Sequence, residues 1–142
     1  MNGFWSNWQD KALALLRVIV GFLLFWHGTQ KLFGYPPTEG SHGELSTLLW
    51  IAGILEFLGG ILLMIGLFTR WTAFVLSGMM AVAYFMVFFG TSFLPIVNGG
   101  ELAVLYCFVL FYLFFSGGGA WSIDSYIDQS LQQNESIKIT PD

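Results

Sequence analysis

Residues 45–68 read LSTLLWIAGILEFLGGILLMIGLF, an apolar run of membrane-spanning length with one ionisable residue, Glu56, near its middle. A carboxylate at bilayer depth costs roughly 3 kcal/mol on insertion scales, so it marks a partner, a cavity or a site. On a helical period the face carrying Glu56 also carries Ala52, Gly53, Gly59 and Gly60. Small residues let a second helix backbone come close, so this face looks into a bundle and Glu56 is buried against protein.

The remaining composition agrees. The 142 residues are 56% hydrophobic and 10% charged, with mean hydropathy +0.70, whereas soluble domains carry about 25% charged residues. Fifteen Phe and six Trp exceed what a soluble core of this size needs. The length suits one compact domain. The net charge of −4 lies mostly in loops and tails, and the absence of a basic patch argues against nucleic acid. Cys107 is the single cysteine, which excludes an intrachain disulfide, a CxxC relay and a Cys-based zinc cluster.

Four spans emerge, each near the ~20 residues that cross roughly 30 Å of hydrocarbon. They are Ala12–Phe33, Leu45–Phe68, Trp71–Phe89, and Leu102 to Phe115 with extension through the glycines toward Trp121. The connections Gly34–Glu44, Thr69-Arg70 and Gly90–Glu101 are short. Short connections favour antiparallel neighbours and predict an all-α membrane protein, an up-down-up-down bundle of four transmembrane helices. Residues 1–11 then form an N-terminal interfacial segment, 12–121 the transmembrane domain, and 122–142 an amphipathic helix with a polar tail. The first run is too long and too polar-interrupted for a cleavable signal peptide. Lys11, Arg17, Arg70 and Lys138 fall on the side of both termini, against Lys31 alone on the other. The Lys/Arg rule therefore places both termini in the cytoplasm. Trp5, Trp8, Trp71 and Trp121 fall at that interface, where aromatic belts belong.

In the tail, Ile123, Tyr126, Ile127 and Leu131 share a face opposite Asp124, Asp128 and Gln132. That pattern predicts a short helix along the membrane surface. Asn134–Asp142 is polar, ends in Pro-Asp and reads as disordered. The simpler reading of the whole tail is a cap on the bundle without chemistry.

Depth along the spans sorts the polar residues. At about 1.5 Å per residue, His27 lies roughly 22 Å into the first span and Glu56 roughly 18 Å from the cytoplasmic end of the second, so the two face each other. Lys31 lies one turn beyond His27, level with Glu101, and a Lys31–Glu101 pair is expected at the outer rim. His27, Lys31, Glu56 and Glu101, with Gln30 at the edge, outline one polar cavity open to the outside. Arg17 is a further candidate: it starts roughly 8 Å into the first span and reaches upward toward Glu56 or downward to the headgroups by snorkelling. Each residue also has a plainer reading. Arg17 serves as a cytoplasmic anchor or structural ion pair, Lys31 snorkels to headgroups, and Glu101 is a first-turn acid favoured by the helix dipole. On the same reading His27 is a satisfied buried histidine, His42 is solvated in the outer loop and Cys107 is packing.

Four stretches together resemble the DoxX family of small bacterial membrane proteins. They are Leu16-Arg17 through Gly21, His27-Gly28 and Lys31-Leu32; Gly53 through Glu56, Gly59-Gly60, Gly66-Leu67 and Thr69-Arg70; Asn98-Gly99-Gly100-Glu101; and Gly117-Gly118-Gly119-Ala120-Trp121-Ser122-Ile123-Asp124. The resemblance spans roughly Leu13 to Asp124. It implies a four-helix protein of the bacterial inner membrane, some of whose relatives are subunits of thiosulfate:quinone oxidoreductase and others associates of membrane redox complexes.

Two classes of function follow. In one, the bundle is a membrane subunit of an oxidoreductase and binds a quinone in the polar cavity. Glu56, His27 and Lys31 then bond the ring oxygens and exchange protons, and Trp26 and Phe57 flank an isoprenoid tail. Electrons pass through that quinone or through soluble or membrane partner subunits, with no covalent or metal cofactor. In the other, the chain is a non-enzymatic scaffold or a lipid or small-molecule binder, whose polar residues fix helix register. A transporter is a third class and would need a homo-oligomer to form a path. Whether the chain is itself catalytic stays open at this stage.

Overall fold

The computed structural model describes residues 2–37 and 46–139. Expectations for His42 and for most of the Gly34–Glu44 connection, and for the side chains of Trp5 and Lys138, lie outside what it describes. All regular structure among the described residues is helical: α1 Asn2–Phe33, α2 Thr47–Ile65, α3 Thr69–Ala83 running on into a π-helical turn at Tyr84–Phe88, α4 Pro95–Asn98, α5 Glu101–Ser116 and α6 Ile123–Ile139. One unbroken helix, α1, covers both the interfacial segment and the first span.

Local chemistry sets the ends. Ser46 caps α2, its hydroxyl accepting from the Leu49 N–H at 3.4 Å. At the other end Gly66 takes φ 70°, and the N–H groups of Gly66 and Leu67 donate to the Leu62 carbonyl at 2.9 and 3.0 Å. This is a Schellman stop, and it lets α3 begin three residues later.

Among the described residues, three stretches are long and apolar enough to cross a membrane: Trp8–Phe33, Thr47–Ile65 and Thr69–Phe88. Helix α5 is apolar but has 16 residues, about 24 Å of rise. Its expected extension toward Trp121 does not occur. Gly117 adopts φ 79°, ψ −161°, a region essentially reserved for glycine, and the chain leaves the helix there. The tail differs too. Helix α6 continues past Asn134 to Ile139, because no glycine or proline interrupts residues 123–139.

The helices pack as antiparallel neighbours. Contacts on the α1–α2 seam run from Arg17 against Leu63 and Met64 to Gly28 against Phe57. On the α3–α5 seam they run from Arg70 against Phe114 and Phe115, through Ser77 on Cys107, to Gly100 against Tyr84. Leu24, Leu63, Leu76, Leu110 and Leu113 meet in one fully buried cluster. Outward-facing positions are apolar as well: Leu15, Ile19, Phe22, Ile51, Ile54, Leu58, Phe74 and Val82 are all exposed. An apolar exterior around an apolar core fits an integral membrane protein in a lipid bilayer.

Candidate functional site

Close backbone approach between α1 and α2 builds the site. Arg17, Gly21, Leu24, Gly28 and Lys31 recur at alternating four- and three-residue spacing on α1, and Gly53, Glu56, Gly60 and Leu63 do so on α2. Each set is one stripe of a helix. A Cβ at Gly60 would stand 2.7 Å from the Gly21 carbonyl oxygen, and one at Gly21 would stand 2.8 Å from the Gly60 oxygen. The two backbones therefore touch, and the polar residues on the stripes are forced together.

At the far end of this seam Lys31 meets Glu56. The ammonium donates to both carboxylate oxygens at 2.6 Å each. The side chains are 28% and 4% exposed respectively, so the carboxylate is enclosed while the lysine side chain stays partly exposed. Gly53 makes room for the lysine stem: a Cβ there would stand 3.1 Å from Lys31 Cβ. This is the sole ion pair found among the described residues, and it differs from the Lys31–Glu101 pair expected at the rim. Glu101 lies exposed in the first turn of α5. Hydrated there, it gains little from an ammonium, whereas Glu56 without one would be a desolvated charge.

His27 is half-buried on the same side of α1, its ring edge-on to Tyr106 at 6.2 Å between centroids. Tyr106 is buried within electrostatic reach of Glu56. It was not singled out from the sequence. The available signal was its place on the stripe Ala103, Tyr106, Leu110 and Leu113, where a phenol interrupts an otherwise apolar core face. Lys31, Glu56, His27 and Tyr106 thus gather an ammonium, a carboxylate, an imidazole and a phenol in an apolar bundle. Gln30 sits half-buried beside them in sequence. Phe57 stacks on Phe25 and meets Phe33 edge-on, and Trp26 packs on Phe22, Phe25 and Tyr35.

Arg17 stands apart, fourteen residues before Lys31 on α1, about 21 Å along the axis. It is fully buried. Nη1 donates to the carbonyls of Leu63 at 2.7 Å and Met64 at 3.2 Å, and Nη2 to that of Trp121 at 3.1 Å. The guanidinium thereby supplies donors to the open C-terminal end of α2, where a cation also suits the helix dipole. Two further residues complete this clamp. Arg70 Nη1 donates to Phe114 and Phe115 carbonyls at the end of α5, at 3.1 and 2.6 Å. The Asp124 carboxylate accepts from the N–H groups of Phe68 and Thr69, 2.8 Å each. Phe68 has no capping side chain of its own, so a carboxylate from the start of α6 caps α3 in its place. The glycine-rich segment after α5 turns the chain so that Trp121 and Asp124 reach these partners.

The DoxX family profile matches residues 12–88, which include Arg17, Lys31, Glu56 and Arg70. An uncharacterised Haemophilus influenzae protein is 45% identical over 125 residues, covering 84% of this chain and 93% of that one. The Escherichia coli "Inner membrane protein YqjF" is 28% identical over 128 residues, 85% of this chain and 95% of its own length. The Bacillus subtilis "Putative oxidoreductase CatD" is 41% identical over 59 residues, 39% of this chain and 44% of that protein. No solved structure gives a significant match.

Proposed function

The chain belongs to the DoxX family, and from that premise we propose that it is the inner-membrane subunit of a quinone-linked electron-transfer system, four-pass with both termini cytoplasmic, whose Lys31–Glu56 pair holds the quinone headgroup. The observation that carries this reading is the pair itself: an enclosed carboxylate clasped at 2.6 Å by the ammonium of a partly exposed lysine. Such a pair suits a carbonyl or hydroxyl ligand, because the ammonium gives a charge-assisted donor and the carboxylate an acceptor. The quinone would supply the two-electron chemistry, with electrons delivered by a partner subunit. Lys31 offers the donor to a ring oxygen, Glu56 orients that donor and holds the proton, and the His27–Tyr106 edge closes the polar cluster toward α5. Two relatives, one named an inner membrane protein and one named a "Putative oxidoreductase", support the setting.

A second reading rests on the seam. Gly21, Gly28 and Gly60 press backbone on backbone, and the ion pair fixes the register of α1 on α2. A scaffold or lipid-binding protein would use Lys31 and Glu56 as that lock and nothing else. Retention of a small molecule separates the two: the redox reading requires a quinone on the purified wild type, absent from a folded Glu56→Gln variant.

A further inference from the structure

At the opposite end of the seam an open cavity of about 460 Å³ lies between the α2–α3 turn, the glycine segment after α5 and the first turns of α6. Its floor is bare by construction. A Cβ at Gly117 would stand 3.3 Å from Arg70 Nη2, and one at Gly118 2.7 Å from the Ser122 side chain, so the glycines let Arg70 and Ser122 pack directly on the backbone of this wall. Arg70 and Asp128 both line the cavity and make no ion pair with each other. The hydrogen bonds of Arg70 to the end of α5 run through Nη1 alone, leaving its Nε–Nη2 edge uncommitted. Asp124 is engaged in capping α3. Asp128 is exposed and has no hydrogen-bond or ionic partner among the described residues. Beside the opening stand Phe68 and Trp71, 63% and 69% exposed, at the end of the membrane-crossing helices where an aromatic belt meets headgroups.

We propose that this cavity binds the headgroup of an amine-bearing phospholipid, phosphatidylethanolamine by chemical class. The phosphodiester sits on the free edge of Arg70, whose planar fork suits phosphate oxygens. The ammonium sits on Asp128, and the glycerol and acyl chains lie over Phe68 and Trp71. Charge decides the class. A purely anionic headgroup would bring its charge beside Asp124 and Asp128, and a purely cationic ligand would be opposed by Arg70. A zwitterion with phosphate and amine a few bonds apart satisfies both walls, and the volume lies in the range of small-ligand sites.

The test is native mass spectrometry of the full-length protein, delipidated in mild detergent. It is then offered equimolar phosphatidylethanolamine and phosphatidylglycerol with identical acyl chains. The wild type retains one phosphatidylethanolamine with a preference of about fivefold, the scale of one exposed charge pair. Asp128→Asn, at an exposed position without structural bonds, abolishes the preference, and Asp128→Lys reverses it toward phosphatidylglycerol. No retained lipid, a wild-type preference for phosphatidylglycerol, or an unchanged preference in Asp128→Asn would each overturn the proposal.

Discussion

Lys31→Met and Glu56→Gln break the same ion pair, and the structure requires them to differ in cost. The Glu56 side chain is 4% exposed and that of Lys31 is 28%. Removing Lys31 leaves an enclosed carboxylate with neither its donor nor water, and breaking a buried pair in this way costs about 3–5 kcal/mol. Glu56→Gln leaves an ammonium that keeps an amide oxygen to bond and can extend along its stem to water. The loss is then one charge-assisted hydrogen bond, about 1.5–3 kcal/mol. The double variant has no buried charge left and should be more stable than Lys31→Met alone. The four proteins form a double-mutant cycle. The assay is the folded fraction against the mole fraction of a denaturing detergent in mixed micelles, followed by tryptophan fluorescence. Equal costs for the two single variants, or a double variant whose loss equals their sum, would refute the geometry of the pair.

Substitutions at Gly60, Gly78 and Arg17 test the frame around it. Gly60→Ala places a Cβ 2.7 Å from both the Gly21 oxygen and the Phe25 nitrogen. These are backbone atoms that cannot swing away, so the variant should lose about 2 kcal/mol or more. Gly78→Ala on α3 meets nothing within 4 Å and should gain up to about 1 kcal/mol from helix propensity; a neutral Gly60→Ala in the same denaturation assay contradicts the seam. Arg17→Met strips donors from the Leu63, Met64 and Trp121 carbonyls, at about 1–3 kcal/mol for each acceptor left unsatisfied. Arg17→Lys should recover part of that loss, since one ammonium does not reproduce the fork. Thermal aggregation of the detergent-solubilised protein reports both, and a wild-type-like Arg17→Met would remove the clamp from the account.

The helices and the burial of Glu56 were legible because each rests on a one-dimensional signal. Apolar runs give the spans, and Gly53, Gly59 and Gly60 around Glu56 give the inward face. The partner of Glu56 was not read correctly. Depth counted from the helix ends put Lys31 level with Glu101, but the lysine stem spans more than one turn and bends over Gly53 toward the carboxylate. Pairing the two glycine stripes in antiparallel register would have set Lys31 against Gly53 and Glu56. The clamp was less legible still. Arg17 and Asp124 act on backbone groups of other helices, and carbonyls and N–H groups at helix ends leave no mark in a sequence. The glycines after α5 invited an extended fourth span; their backbone conformation, invisible in composition, ends the helix at Ser116.

The most direct test of the central claim is mass spectrometry of small molecules that co-purify with the protein in mild detergent. Wild type, Glu56→Gln and the Lys31→Met/Glu56→Gln double variant are compared after each is shown to be folded and monodisperse. A near-stoichiometric quinone on the wild type, missing from both variants, is the predicted result. Bulk lipid alone on all three proteins, with no quinone, would contradict it and leave Lys31 and Glu56 as a lock between α1 and α2.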